Sequence, residues 1–223
     1  MLNYHTVTPL LVTILKNLMG SELFTPFRLV GGTNLSLREG HRISIDIDMF
    51  TDAEYGSIDF TKLETYLQSN FYYYDCPDPT SLVGFGRSYY IGTSKDSCIK
   101  LDLMYTDTFI NPPEIIDGIR FASVEDIMAM KLQAICSGGR KKDFWDIHML
   151  LEKSSLEMMI NCYIKRHPWE SSRKEICEKL MDFKEIDDDF SPNCLLNKDW
   201  DLIKLDIIDT VTEYLDKVDN ISE

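Results

Sequence analysis

No stretch of this 223-residue chain approaches the roughly 18 consecutive apolar residues that a membrane-spanning helix needs. The chain also lacks any C-x-x-C pair. Its six cysteines, at 76, 98, 136, 162, 177 and 194, keep no zinc-ligand spacing with the four histidines. Reduced thiols in a cytoplasmic protein are the simplest account. The opening MLNYHTVTPLLVTILKNLMG has an apolar run but neither a basic start nor a small-residue cleavage site, so it is not expected to be a signal peptide. Internal repeats and low-complexity segments are missing too. At 44% hydrophobic, the chain can bury a sizeable core in one or two domains.

Positive charge is scarce: the formal net charge is −14. That would argue against a nucleic-acid partner if the charge were evenly spread. It is not. Residues 182–223 hold 13 acids and 4 bases, against 24 acids and 19 bases in residues 1–181. Several acids of the longer part belong to one candidate metal site. Basic clusters are present at Arg140, Lys141, Lys142 and at Lys165, Arg166, His167, with Arg173 and Lys174 nearby. A solvated helix surface and a phosphate or RNA contact explain them equally well. Charge leaves the substrate open.

What the chain does contain is the segment 30–50, VGGTNLSLREGHRISIDIDMF. A Gly31-Gly32-Thr33 turn stands thirteen residues ahead of an Asp46-x-Asp48 pair, counted from Thr33 to Asp46. On a strand, Ile43, Ile45 and Ile47 would face one way, and Arg42, Ser44, Asp46 and Asp48 the other. Carboxylates two apart on a strand lie about 6–7 Å from one another, and they repel unless a cation sits between them. Oxygen-only ligands with room left for phosphate favour Mg²⁺, with Mn²⁺ as a substitute. The glycines let backbone approach phosphate oxygens, and Thr33 can open a helix whose N-terminus attracts anions. The pattern points to a metal-bound nucleoside triphosphate. An exposed polar strand face is the plain alternative, disfavoured because acids are depleted in strands.

A second strand, CIKLDLMY at 98–105, places Ile99, Leu101 and Leu103 on one face and Lys100 and Asp102 on the other. A third strand carboxylate after a G-G-T…D-x-D unit can complete a two-metal site or serve as base for an attacking hydroxyl. Lys100 can neutralise phosphate or simply pair with Asp102.

From residue 123 the texture becomes helical. Ser123 caps a helix ending at Gly138-Gly139, with Lys131 bordering its apolar face, and a second helix follows Arg140. Asp143 and Asp146, three apart, share a face in its first turns, where acids favour the helix dipole. Earlier, Leu11, Ile14, Leu15 and Leu18 mark a helix, as do Phe60, Leu63 and Leu67. Strands are expected at 71–74, 82–91, 97–105 and 119–121, and helices at 155–166, 171–183 and 199–217. The class is α+β, divided into 1–122 and 123–223.

These residues together resemble the AbiEii/AbiGii family of nucleotidyltransferase toxins, which includes the mycobacterial MenT proteins and belongs to the DNA polymerase β-like superfamily. The resemblance covers residues 28–151. It rests on Gly31-Gly32-Thr33 leading to Arg42, Ser44, Asp46 and Asp48; on Lys100-x-Asp102; on Lys131 in MKLQAI; and on R-x-K-D-x-x-D at Arg140, Lys142, Asp143 and Asp146. It implies a mixed sheet carrying the acids, followed by a helical domain closing over the nucleotide. It also implies transfer of a nucleotide from an NTP to an acceptor, with pyrophosphate leaving. Asp46, Asp48 and Asp102 would hold Mg²⁺, Gly31, Gly32 and Thr33 the phosphates, and Lys131 would add a point charge to them. Arg42, Ser44 and Lys100 would line the nucleotide site. Asp143, with Arg140, Lys142 and Asp146, would organise it from the helical side, touching Lys131 or the nucleotide. Known members are often the toxin half of a toxin–antitoxin or phage-defence pair, and some modify the 3′ acceptor end of tRNA. A cognate antitoxin is an expected partner. Nucleotidylation of a protein, or an inert protein-binding member of the fold, are the competing readings.

Overall fold

The computed structural model describes residues 1–78 and 84–221, which divide into two compact units, Met1–Ser123 and Val124–Glu223. The first unit is built on a seven-stranded mixed sheet. Its strands are β1 (Arg28–Leu29), β2 (Ile47–Thr51), β3 (Tyr73–Asp75), β4 (Gly86–Ser94), β5 (Ser97–Tyr105), β6 (Glu114–Ile116) and β7 (Ile119–Phe121), in the spatial order β3-β4-β5-β2-β1-β7-β6. β2 runs parallel to β5 and β1 parallel to β7, while the other neighbours are antiparallel. The strand expected at 82–91 is found as β4; residues 82 and 83 lie outside the described residues.

Alternation divides the two faces of the central strands. Ile47 and Met49 on β2, Ile99, Leu101 and Leu103 on β5, and Tyr89 and Ile91 on β4 are all buried. They form one core with α1 (Pro9–Gly20) and α3 (Phe60–Asn70), through Leu11, Ile14, Leu15 and Leu18 and through Phe60, Leu63 and Leu67. α1 starts where its sequence says it should: Pro9 occupies the first turn, and the Thr8 hydroxyl accepts the Leu11 N–H. The opposite face of the same strands carries Asp48, Lys100, Asp102, Ser88 and Tyr90. One residue of slip in any of these strands would turn its acids into the core, so burial of the apolar face fixes where the acids stand.

Two polar devices brace the first unit. Arg120 on β7 donates to the carbonyls of Met19, Phe24 and Phe27, and burial pulls its guanidinium below its usual value. α2 (Gly31–Glu39) ends on Gly40, which adopts φ +73° and donates its N–H to Ser36 O.

The second unit contains α4 (Val124–Cys136), α5 (Lys141–Leu151), α6 (Leu156–Arg166), α7 (Arg173–Leu180) and α8 (Trp200–Ile221). α6 opens on a Ser155 cap, and α7 on a reciprocal Ser172–Glu175 capping box. None of the helices among the described residues is long and apolar enough to cross a membrane. Arg166 and His167 are buried, with Arg166 paired to Asp126 at 3.1 Å, and Lys141 is buried as well. The basic clusters of the sequence are therefore partly internal.

Candidate active site

The alternation expected across 42–48 holds only at its end. β2 begins at Ile47, and residues 43–46 form no strand. Ile45 is 63% exposed, whereas Arg42 and Ser44 are buried. Polar contacts account for the inversion. Ser44 donates its N–H to Thr6 O, and its hydroxyl meets that of Thr33 at 2.8 Å. The Thr33 hydroxyl in turn donates to Asp46 O. Thr33 thus ties the start of α2 to the backbone that presents the acids. Its hydroxyl is turned inward, toward Ser44 and the Asp46 carbonyl.

Parallel pairing then does what no single strand can. Asp48 and Asp102 are direct register partners on β2 and β5, so their Cα atoms lie about 4.8 Å apart, one strand spacing, on the same face. Asp46 stands two residues ahead of Asp48. Lys100 Nζ donates to Asp102 Oδ2 at 2.6 Å. Burial works against the Lys100 charge, yet the Asp102 hydrogen bond and the attraction of Asp102, Asp48 and Asp46 hold its ammonium above the usual lysine value. All three acids therefore converge on one locus. The other oxygen of Asp102, Oδ1, is buried and has no hydrogen-bond partner among the described residues. A buried carboxylate oxygen without a donor is costly, and a hard cation is the ligand that chemistry supplies for it. The donor set fits Mg²⁺.

The glycines show why they are glycines. Gly31 opens α2 at φ +66°, and a Cβ there would lie 2.2 Å from Asp48 Oδ2. A Cβ on Gly32 would lie 2.2 Å from Arg42 Nη2. The helix start thus packs directly against one acid and one guanidinium, and Val30 at its N-cap offers no capping side chain. Gly31→Ala is expected to cost about 1–2 kcal/mol from the left-handed backbone alone, with displacement of Asp48 in addition. In a denaturant titration of both variants, Gly20→Ala, in α1 with nothing within 4 Å of the new methyl, should instead be neutral or stabilising by up to about 1 kcal/mol.

In the helical unit, Lys131 on α4 reaches two carboxylates of α5. Its Nζ is 2.7 Å from Asp143 Oδ1 and 2.7 Å from Asp146 Oδ2. Asp143 Oδ2 accepts the Arg140 N–H and so caps α5. Burial works against the Asp143 charge, but Lys131 and the Arg140 N–H outweigh it and keep the carboxyl below its usual range. Arg140 is exposed and Lys142 half-buried at the start of the same helix. Sequence spacing gave Asp143 and Asp146 a shared face; it held no sign that both would converge on Lys131. Trp145 stacks on Trp200 with centroids 5.4 Å apart, and His148 Nε2 lies 2.8 Å from Asp206. Both are internal to the unit. Sequence reading also missed Asn34, which is buried and donates to Leu29 O and Ala122 O, holding α2 between β1 and the end of β7. A lone Asn in a short helix carries no signal of that kind.

Residues 13–220 match the family described as "Nucleotidyl transferase AbiEii toxin, Type IV TA system". An uncharacterised protein of Aquifex aeolicus (strain VF5) is 29% identical over 180 residues, covering 79% of this chain and 75% of that one. Among solved structures, JHP933 from Helicobacter pylori aligns with a TM-score of 0.57 at 22% identity, over 96% of this chain and 92% of that one. MenT4, nucleotidyltransferase toxin Rv2826c from Mycobacterium tuberculosis H37Rv, aligns with a TM-score of 0.57 at 12% identity, over 91% and 83%. At such identities the structural likeness speaks for the fold, an α+β nucleotidyltransferase fold with a mixed sheet. The family match spans nearly the whole sequence, and the chain belongs to the AbiEii nucleotidyltransferase toxin family, as a nucleotidyltransferase.

Proposed function

We propose that the protein transfers a nucleotide from an NTP, in a Mg²⁺-dependent reaction, to the 3′ acceptor end of tRNA, as the toxin of a toxin–antitoxin or phage-defence pair. The observation that carries the metal-dependent part is the in-register Asp48–Asp102 pair with Asp46 beside it and Asp102 Oδ1 left without a donor. The tRNA acceptor and the antitoxin partner rest on what is known of some members of the family.

Mg²⁺, when bound by Asp46, Asp48 and Asp102, would offset the negative charge of the triphosphate and of the leaving pyrophosphate. The chain's own residues do the positioning. The backbone at Gly31 and Gly32 receives the phosphates at the start of α2, where the helix dipole favours anions. The Asp102 carboxylate orients the acceptor hydroxyl and accepts its proton. The hydroxyl oxygen of the acceptor bonds to the α-phosphorus as the bond from that phosphorus to the α–β bridging oxygen breaks, and pyrophosphate leaves with the electron pair. Lys100 holds Asp102 in place through Oδ2 and adds positive charge beside it. Rate enhancement of this kind comes chiefly from positioning and electrostatics.

The decisive experiment supplies labelled NTPs together with total RNA and with cell protein, and asks which fraction takes up label. Label in the tRNA fraction supports the reading; label in protein replaces it with protein nucleotidylation; label in neither leaves an inert member of the fold. Asp48→Ala is expected to abolish the Mg²⁺ dependence of NTP binding in calorimetry. Equal affinity of the wild-type protein in EDTA and in Mg²⁺ would remove the metal from the proposal.

A further inference from the structure

We infer that the acid-bearing sheet face continues into an acceptor subsite on β4, in which Tyr90 stacks on the terminal base of the acceptor strand. This rests on the proposed function, because it needs a nucleic-acid acceptor. In-line displacement puts the attacking hydroxyl and the leaving pyrophosphate on opposite sides of the transferred phosphorus. The strand order then assigns the sides. The Gly31–Gly32 helix start packs on Asp48 of β2, which lies on one side of Asp102; β4 lies on the other. An acceptor opposite the triphosphate therefore comes in over β4.

Two β4 side chains occupy that path. Ser88 is the register partner of Asp102, and Tyr90 of Lys100, and directly opposed residues of an antiparallel pair share a face. Their neighbours Tyr89 and Ile91 are fully buried on the other face, which fixes Ser88 and Tyr90 on the side of the acids. Ser88, directly opposite Asp102, is small and half-buried, which leaves Tyr90 as the large side chain of β4 on this face. Tyr90 is 36% exposed, a large aromatic two residues farther along β4 on the same face. Lys100 stands between Tyr90 and the acids, placed to meet the phosphate that precedes the terminal nucleotide. An aromatic ring, a cation and a carboxylate in that order match the base, phosphate and hydroxyl of a strand end. Stacking tolerates any base, so this subsite confers affinity for a 3′ end rather than a sequence preference.

The test uses an RNA acceptor with 2-aminopurine as its 3′-terminal base, titrated into the full chain. Wild type and Tyr90→Phe should quench the fluorescence on binding. Tyr90→Leu should weaken binding roughly ten- to hundredfold, as loss of one base–aromatic stack typically does, and raise the KM for RNA by a similar factor. The KM for NTP should stay unchanged. Wild type that labels RNA while Tyr90→Leu binds and quenches like it overturns the subsite alone. Wild type that neither binds nor labels RNA overturns the acceptor reading and the subsite with it.

Discussion

Asp102→Asn is expected to lower nucleotide transfer by about 10²–10⁴ while leaving the fold and most NTP binding in place. The substitution keeps the shape of the side chain and one oxygen, but it removes the charge and puts donor hydrogens where an acceptor is needed. Lys100 would lose its ion pair with Asp102, and the oxygen without a hydrogen-bond partner among the described residues would be open to replacement by the NH₂ group. Stability should not fall with activity. Relief of the like-charge repulsion between Asp48 and Asp102 across the strand pair offsets the lost Lys100 ion pair, so the melting temperature of the metal-free protein should change little. A large activity loss at a little-changed melting temperature is the signature of a group kept for chemistry. Transfer within a few-fold of wild type would move Asp102 out of the catalytic set.

The site was legible in the sequence only as far as local rules reach. Period-two alternation correctly split Ile99, Leu101 and Leu103 from Lys100 and Asp102, because β5 is a regular strand packed on a core. The same rule misplaced Ile45, since residues 43–46 are held by side-chain and backbone contacts from Thr6 and Thr33 and not by a ladder. Helical periodicity found α1, α3 and α5. Nothing in the sequence marked β6, which is three residues long and is held by its pairing with β7. The alignment of Asp48 with Asp102 is a parallel pairing between residues far apart in sequence, and no spacing within either strand encodes it. The same holds for Lys131, where a near-apolar helix face was compatible with a lysine reaching solvent. The structure instead buries it between two carboxylates.

That burial governs the second large effect. Lys131→Ala is expected to destabilise the helical unit by about 3–5 kcal/mol, because it takes the buried ammonium away from Asp143 and the fully buried Asp146. Loss of NTP affinity in this variant would therefore not by itself show that Lys131 touches phosphate. A compensated variant separates the roles. Lys131→Met combined with Asp143→Asn and Asp146→Leu removes all three charges, and Asn at 143 retains an oxygen for the Arg140 N–H. Apolar replacement of a buried triad is typically neutral or stabilising, so stability should recover. If the triad also serves the nucleotide, transfer should stay low in the recovered protein; restored transfer would make the cluster purely structural. Acid titration gives an independent check. Asp143 is held below its usual 3.8, so its contribution is fully present above that pH and is lost as pH falls through the lower folded value. The wild-type helical unit should therefore melt progressively earlier below about pH 4, and the triple variant should show a smaller dependence there.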